Sequence, residues 1–294
     1  MKRTLAVVVA ATALVVSACG SKEDLGGSGQ QAASGEVVVG SADFTENKIL
    51  AEIYAGALKT TGATVTVKSG IGARELVVKA LQDKSLGVVP EYTGNLLNYF
   101  DKTNTTTEAE EVFTALKGKT PSGLEVLEKS EAEDKDVLVV TKATADGGVK
   151  SIADLGSGKY ALGAAGEWAQ RWEAKIGELY GVKFTEIKTT DAGGPITVDA
   201  LKAGTVQVAN LYTTSADIKA NDFVELEDPK VMYPAQNIVP LLRSDAIDAK
   251  GKDALNKVSA ALTTEKLADL VKRVDVDKET IANVAADFLK SVTL

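Results

Sequence analysis

From residue 37 to residue 292 short apolar runs alternate with longer amphipathic stretches. Residues 37–39 are three valines closed by Gly40 and Ser41, and read as a strand. Ile49, Leu50, Ile53, Tyr54, Ala57 and Leu58 then recur at spacings of one, three and four, the period of a helix with one buried face. Residues 64–68 alternate as a half-buried strand does, 74–81 read as a helix, and 86–89 as a strand that Pro90 is expected to stop. A helix around 112–116 and an extended piece at 124–127 complete the first half. The second half repeats the pattern. Strands are expected at 137–140, 160–164, 184–187 and 206–209, with helices at 167–180 and 195–203; Pro195 suits a first helical turn, where its missing N–H costs nothing. Residues 238–242 read as a strand at an edge or a crossover, because Pro240 lies inside it. Residues 253–292 read as two or three helices. Repeated βα units predict an α/β fold with largely parallel, doubly wound sheets, and two runs of them predict two lobes. In such sheets ligands sit at the carboxyl ends of strands.

The first residues break this pattern. Lys2 and Arg3 precede an uncharged stretch of 14 residues, 5–18, which is short for a bilayer span of about 20 residues and fits the core of a signal peptide. Residues 20–35, GSKEDLGGSGQQAASG, hold a single large apolar residue, Leu25, and read as a flexible tether.

Composition then removes whole classes of chemistry. The chain of 294 residues has 41 acidic and 33 basic side chains, no histidine and one cysteine. Without imidazole there is no Ser-His-Asp or Cys-His machinery and no Cys/His zinc site. One cysteine cannot close an intramolecular disulfide. A net charge of −8 disfavours nucleic acid, whose affinity comes from cationic side chains on phosphates. Removal of Lys2 and Arg3 with a leader would take the charge to −10. Carboxylate chemistry stays open, so a secreted hydrolase working through Glu46 and Glu91 is a rival to a binding protein.

Two motifs sit where ligands are expected. Gly40-Ser41-Ala42-Asp43-Phe44-Thr45-Glu46 follows the first strand, and Pro90-Glu91-Tyr92-Thr93-Gly94 follows the third; each opens a helix, whose free N–H groups favour anions. The pair resembles the glycine betaine/choline binding proteins of the osmoprotectant ABC importers. The similarity continues in Ser151-Ile152-Ala153-Asp154-Leu155, in residues 167–171, in Leu211-Tyr212-Thr213-Thr214 and in Leu226-Glu227-Asp228-Pro229-Lys230, and spans about 37–289. Val16-Ser17-Ala18-Cys19 resembles a bacterial lipobox, which implies cleavage after a signal peptide of residues 1–18 and acylation of Cys19 at the head of a linker, 19–35.

The family resemblance implies a class II periplasmic-binding-protein fold: two doubly wound lobes, 36–134 with 237–294 and 135–236, joined by two crossovers. It implies no catalysis, no cofactor and no metal. The partners it implies are a small polar or zwitterionic solute, a permease and an ATPase on separate chains, and the membrane through the lipid on Cys19, with the protein itself a monomer and no nucleic acid involved. A sensor lipoprotein that kept the fold without transport is the remaining rival. The family holds its ligand in a box of tyrosines, because ring faces attract a cation that cannot donate hydrogen bonds. By position Tyr92 and Tyr212 become box walls and Arg171 the clamp on a carboxylate. Asp134 falls at a cleft-facing acid, and Asp43, Thr45, Thr93 and Asn95 join the site from the two motifs. Asp136 and Gln236 fall where the family carries two further tyrosines, so the ligand is expected to be more polar than plain glycine betaine. Ala42 also replaces a lysine common in relatives. Tyr54, Tyr99, Tyr180, Trp168 and Trp172 read as packing residues, and Tyr233 as a ring that could turn into the gap.

Overall fold

The computed structural model describes residues 35–156 and 158–294. The leader 1–18, Cys19 and nearly all of the linker lie outside the described residues. None of the described helices is long and apolar enough to cross a membrane.

The first run of elements is β1 (Glu36–Gly40), α1 (Thr45–Thr60), β2 (Thr64–Lys68), α2 (Arg74–Gln82), β3 (Val88–Tyr92), α3 (Thr93–Phe100), α4 (Ala109–Lys119) and β4 (Leu124–Val126). The second is β5 (Asp136–Thr141), α5 (Lys142–Asp146), β6 (Ala161–Ala164), α6 (Gly166–Trp168), α7 (Ala174–Tyr180), β7 (Glu186–Thr189), α8 (Pro195–Lys202), β8 (Val208–Tyr212), α9 (Ala216–Ala220) and β9 (Phe223–Glu225). The chain then returns in β10 (Ile238–Arg243), followed by α10 (Ala249–Ala261), α11 (Thr264–Asp275) and α12 (Ile281–Lys290). Between α6 and α7 the helix widens into a π-helical turn, Ala169–Glu173.

Two five-stranded sheets result, ordered β2-β1-β3-β10-β4 and β7-β6-β8-β5-β9. Strand parity shows that each is covered on both faces. Val37 and Val39 enter one apolar cluster while Val38 packs on another; Leu138 and Val140 enter a third while Val137 and Val139 enter a fourth. The predicted face of α1 is the buried one: Ile49, Leu50, Ile53, Tyr54, Ala57 and Leu58 lie in the core, against α10, α11 and α12.

The sheets are mixed where a largely parallel arrangement was expected. β10 runs antiparallel to β3 and β4, and β5 antiparallel to β8 and β9. Both strands are fed by the crossovers, which enter each sheet from the opposite end. Of the edge or crossover expected at Pro240, the structure shows an interior strand entered from the return crossover, and β3 continues through Pro90. The two prolines face each other in the β3–β10 pairing. Neither can donate, so they occupy a pair that exchanges no hydrogen bonds. The Pro240 carbonyl turns the other way, to Leu127 N–H at 3.1 Å.

The crossovers run side by side. Ser130 N–H donates to Ile238 O, Ile238 N–H to Ala132 O, and Asp134 N–H to Gln236 O. Thr93 is buried against the return crossover, its hydroxyl accepting from Asn237 N–H at 3.0 Å and donating to Ala235 O at 3.3 Å. Gly94 completes this junction: a Cβ there would stand 2.6 Å from Ala235 O and 3.0 Å from Gln236 Nε2. The clash is with backbone and cannot relax cheaply. Gly94→Ala is therefore expected to destabilise the protein by about 1–3 kcal/mol, read as a lower urea midpoint with an unchanged slope.

Candidate functional site

The carboxyl ends of β1 and β3 deliver both motifs to one cavity of about 1090 Å³. β1 and β3 pair at a single register position, Val39 with Val88, and so separate toward their ends. The gap leaves the Pro90 carbonyl free to accept from Asn47 Nδ2 at 3.2 Å. Asn47 Oδ1 in turn accepts from Ala42 N–H at 2.7 Å, tying the loop after β1 to the first turn of α1. Ser41, fully buried, accepts from Gly70 N–H at 3.0 Å and holds the next loop beside it.

Phe44, Tyr92 and Tyr212 line the cavity, the first from the loop after β1, the second from the end of β3, the third from the end of β8 in the other sheet. The Phe44 and Tyr92 rings lie 6.1 Å apart, and Phe44 is 43% exposed, unusual for a side chain of its size. Tyr212 rests against Gly193, where φ is +74° and a Cβ would stand 3.3 Å from the ring. Burial, followed by the charges of Asp136 and Asp134, pushes the Tyr212 phenol up to about 12, so it stays neutral.

The floor is acidic. Tyr92 donates to Glu46 Oε1 at 2.8 Å, and Thr214 donates to Asp134 Oδ1 at 2.9 Å. The two carboxyls lie within hydrogen-bonding reach of each other, and burial pushes both up from the usual carboxylate range. Beside them Arg74 grips Glu91 through Nε and Nη2 at 2.9–3.0 Å. Glu91 also accepts from Tyr92 N–H at 3.1 Å.

A smaller cavity of about 260 Å³ adjoins at Asn95, which lines both. Arg171, Asp136, Gln236, Trp172 and Tyr233 line it. Trp168 is fully buried and donates to the Tyr233 hydroxyl at 2.9 Å; Trp172 stands edge-on to the same ring at 5.1 Å. Arg171 lies on the π-helical turn, exposed, with Nε donating to Glu167 O at 3.4 Å. Its guanidinium is 5.9 Å from the Trp172 ring, and among the described residues no carboxylate is within salt-bridge distance of it.

Residues 35–291 match the family OpuAC, the substrate binding domain of ABC-type glycine betaine transport system. The chain belongs to this family. Like other OpuAC-family domains it serves an ABC importer, outside the cytoplasm, with a small solute, a permease and an ATPase as partners. It is 28% identical over 271 residues to the glycine-betaine-binding protein of Pseudomonas aeruginosa, covering 86% of each chain. It is 26% identical over 288 residues to the glycine betaine-binding protein YehZ of Escherichia coli, covering 88% of this chain and 91% of the other. The structure of a glycine betaine/carnitine/choline ABC transporter protein superposes with a TM-score of 0.80 at 20% identity, over 87% of this chain and 98% of the other.

In this OpuAC-family domain the candidate residues divide. Asp43, Thr45, Tyr92, Asn95, Asp134 and Tyr212 line the larger cavity; Asn95, Asp136, Arg171 and Gln236 line the smaller one. Thr93 lines neither, since both of its hydroxyl bonds serve the crossover junction. Asp43 is held by Lys48 at 2.7 Å and Thr45 donates to Asp275 at 2.8 Å, both at the rim. Gln236 accepts from Asn95 N–H at 3.0 Å. Glu46 and Glu91, the two carboxylates of the hydrolase rival, both line the larger cavity, with Glu91 tied to Arg74. Phe44, Glu46, Asn47 and Thr214 also line the larger cavity. A readable signal existed for Phe44, an aromatic residue in a polar loop just before a helix. Thr214 closes the Leu211–Thr214 motif, but its partner Asp134 lies 80 positions away and the motif does not name it.

Proposed function

We propose that the chain is a lipid-anchored solute-binding protein that captures a small quaternary-ammonium osmoprotectant of the glycine betaine, choline and carnitine class. The lobes are 36–134 with 237–294 and 135–236, and they close on the solute in the larger cavity. Three aromatic side chains converging there from both sheets, above a carboxylate floor, carry this reading. Ring faces and anionic oxygens together suit a cation that has no hydrogen to donate. The cation sits among Phe44, Tyr92 and Tyr212; a carboxylate tail, where the solute has one, runs past Asn95 toward Arg171. The differential affinity of the solute for the closed form shifts the population toward it, and the permease recognises that form. The protein acts as a monomer held at the membrane by acylated Cys19, and does no chemistry on its ligand.

Calorimetric titration with glycine betaine and with choline tests this. Saturable binding of either supports the proposal, and heat from neither at millimolar concentration overturns it. Arg171→Ala is expected to weaken glycine betaine about tenfold, the loss of a charge-assisted contact of about 1.5 kcal/mol, while leaving choline, which lacks a carboxylate, within twofold.

A further inference from the structure

The larger cavity contains a device that binding of a simple cation between rings does not require. Glu46, on the first turn of α1, is buried and reaches the floor of the cavity, where it meets Asp134 from the outgoing crossover. Two ionised carboxylates in hydrogen-bonding contact in a buried place repel each other, so the pair holds a proton between them. Tyr92 O–H already donates to Glu46 Oε1 and Thr214 O–H to Asp134 Oδ1. Burial and the neighbouring Asp134 charge both favour the neutral form of Glu46, which then donates to Asp134.

Other charges near the pair leave it without a counter-ion. On α1, Lys48 is engaged by Asp43. From α2, Arg74 is engaged by Glu91 of β3. From β5, Asp136 adds further negative charge beside Asp134, while Lys135 between them is engaged by Glu133 and Arg171 lines the smaller cavity on the far side of Asp136. Across the cavity Asp217 of α9 and Asp275 of α11 are acidic too, and Tyr92 and Tyr212 stay neutral. Among the described residues no group of three potential ligands is placed to hold a metal ion. The missing positive charge is therefore one that the solute can bring.

Resting on the function proposed above, we infer that Glu46 makes cation capture proton-linked: a quaternary ammonium entering the larger cavity displaces the proton shared by Glu46 and Asp134, which leaves to solvent. Glu46 thereby sets the charge the site accepts. A permanent cation is favoured because it replaces the proton, and a neutral polyol of similar size gains nothing from the exchange. The empty site holds one proton more than the occupied site, so affinity rises with pH, by up to tenfold per unit while one proton is released.

Choline is the probe, since it has no carboxylate of its own to titrate. Calorimetric titration of the folded chain at pH 5 to 8, in two buffers of different ionisation enthalpy, is expected to show an affinity at least tenfold lower at pH 5 and release of up to one proton per choline. Glu46→Gln copies the protonated acid, accepting from Tyr92 and donating to Asp134. It is expected to bind choline with a pH-independent affinity close to the wild-type value at pH 5. A wild-type affinity flat in pH, with no buffer-dependent heat, overturns the inference and leaves the proposed function standing. Absence of binding by choline and glycine betaine at every pH overturns the function as well. Carboxyl carbon resonances of the ligand-free protein give an independent reading. A resonance lost in Glu46→Gln that titrates well above the ordinary glutamate range supports the shared proton, and an ordinary titration of Glu46 overturns it.

Discussion

Arg74→Met is expected to destabilise the protein by about 3–5 kcal/mol, the typical loss when one partner of a buried ion pair is removed. The Glu91 side chain is only 5% exposed, and Arg74 supplies all three of its charged bonds. With the guanidinium gone, the carboxylate keeps the Tyr92 N–H and little else. Glu91→Met should cost less, because the Arg74 side chain is 25% exposed and water can solvate it. The asymmetry is the diagnostic feature: urea unfolding of the two variants should rank Arg74→Met well below Glu91→Met. Midpoints of both variants equal to that of the wild type would mean that the pair is solvated and contributes little. The pair matters to the site because it fixes the end of β3, and with it the Tyr92 ring.

Tyr212→Ala is expected to weaken choline and glycine betaine about thirtyfold, corresponding to a desolvated cation–ring contact of about 2 kcal/mol. Tyr212 contributes the wall from the second sheet, and its ring is backed by Gly193 and not by a dense core. The variant should consequently stay folded, with a circular dichroism spectrum and unfolding slope like the wild type. Tyr212→Phe should bind within threefold of wild type, since it keeps the ring and loses only the hydroxyl. Tight binding by Tyr212→Ala would place the cation away from this wall.

Local pattern and chemistry made much of the fold readable. The valines before Gly40 and the spaced apolar face of α1 leave few alternatives, and both helices that open at the motifs lie where their loops put them. What escaped reading depends on partners distant in sequence. Pro240 suggests an edge until its opposite number is known, and that is Pro90, 150 positions earlier. Residues 206–209 look like the strand, but pairing with β5 and β6 carries it on to Tyr212. The site divides for the same reason. Tyr92 and Tyr212 face one cavity because they end β3 and β8, one strand in each sheet, whereas Arg171 lies on a π-helical turn and lines the smaller cavity. That widening leaves no mark in the spacing of apolar residues.

The lacing of the crossovers limits how one sheet can turn against the other. On the outgoing segment Asp134 N–H is bonded to Gln236 O of the return crossover, and the next N–H, of Lys135, already belongs to the Thr213 hydroxyl just beyond β8. On the return segment Tyr233 N–H is held by Asp228 and Ala235 N–H by Thr107, leaving Pro234 between them. The axle is therefore one peptide unit on one side and a proline on the other, whose ring freezes one of its two torsions. With so few free torsions, the halves must swing as rigid plates about a short fixed line, and the acids at Asp134 and Asp136 stand on opposite sides of that line.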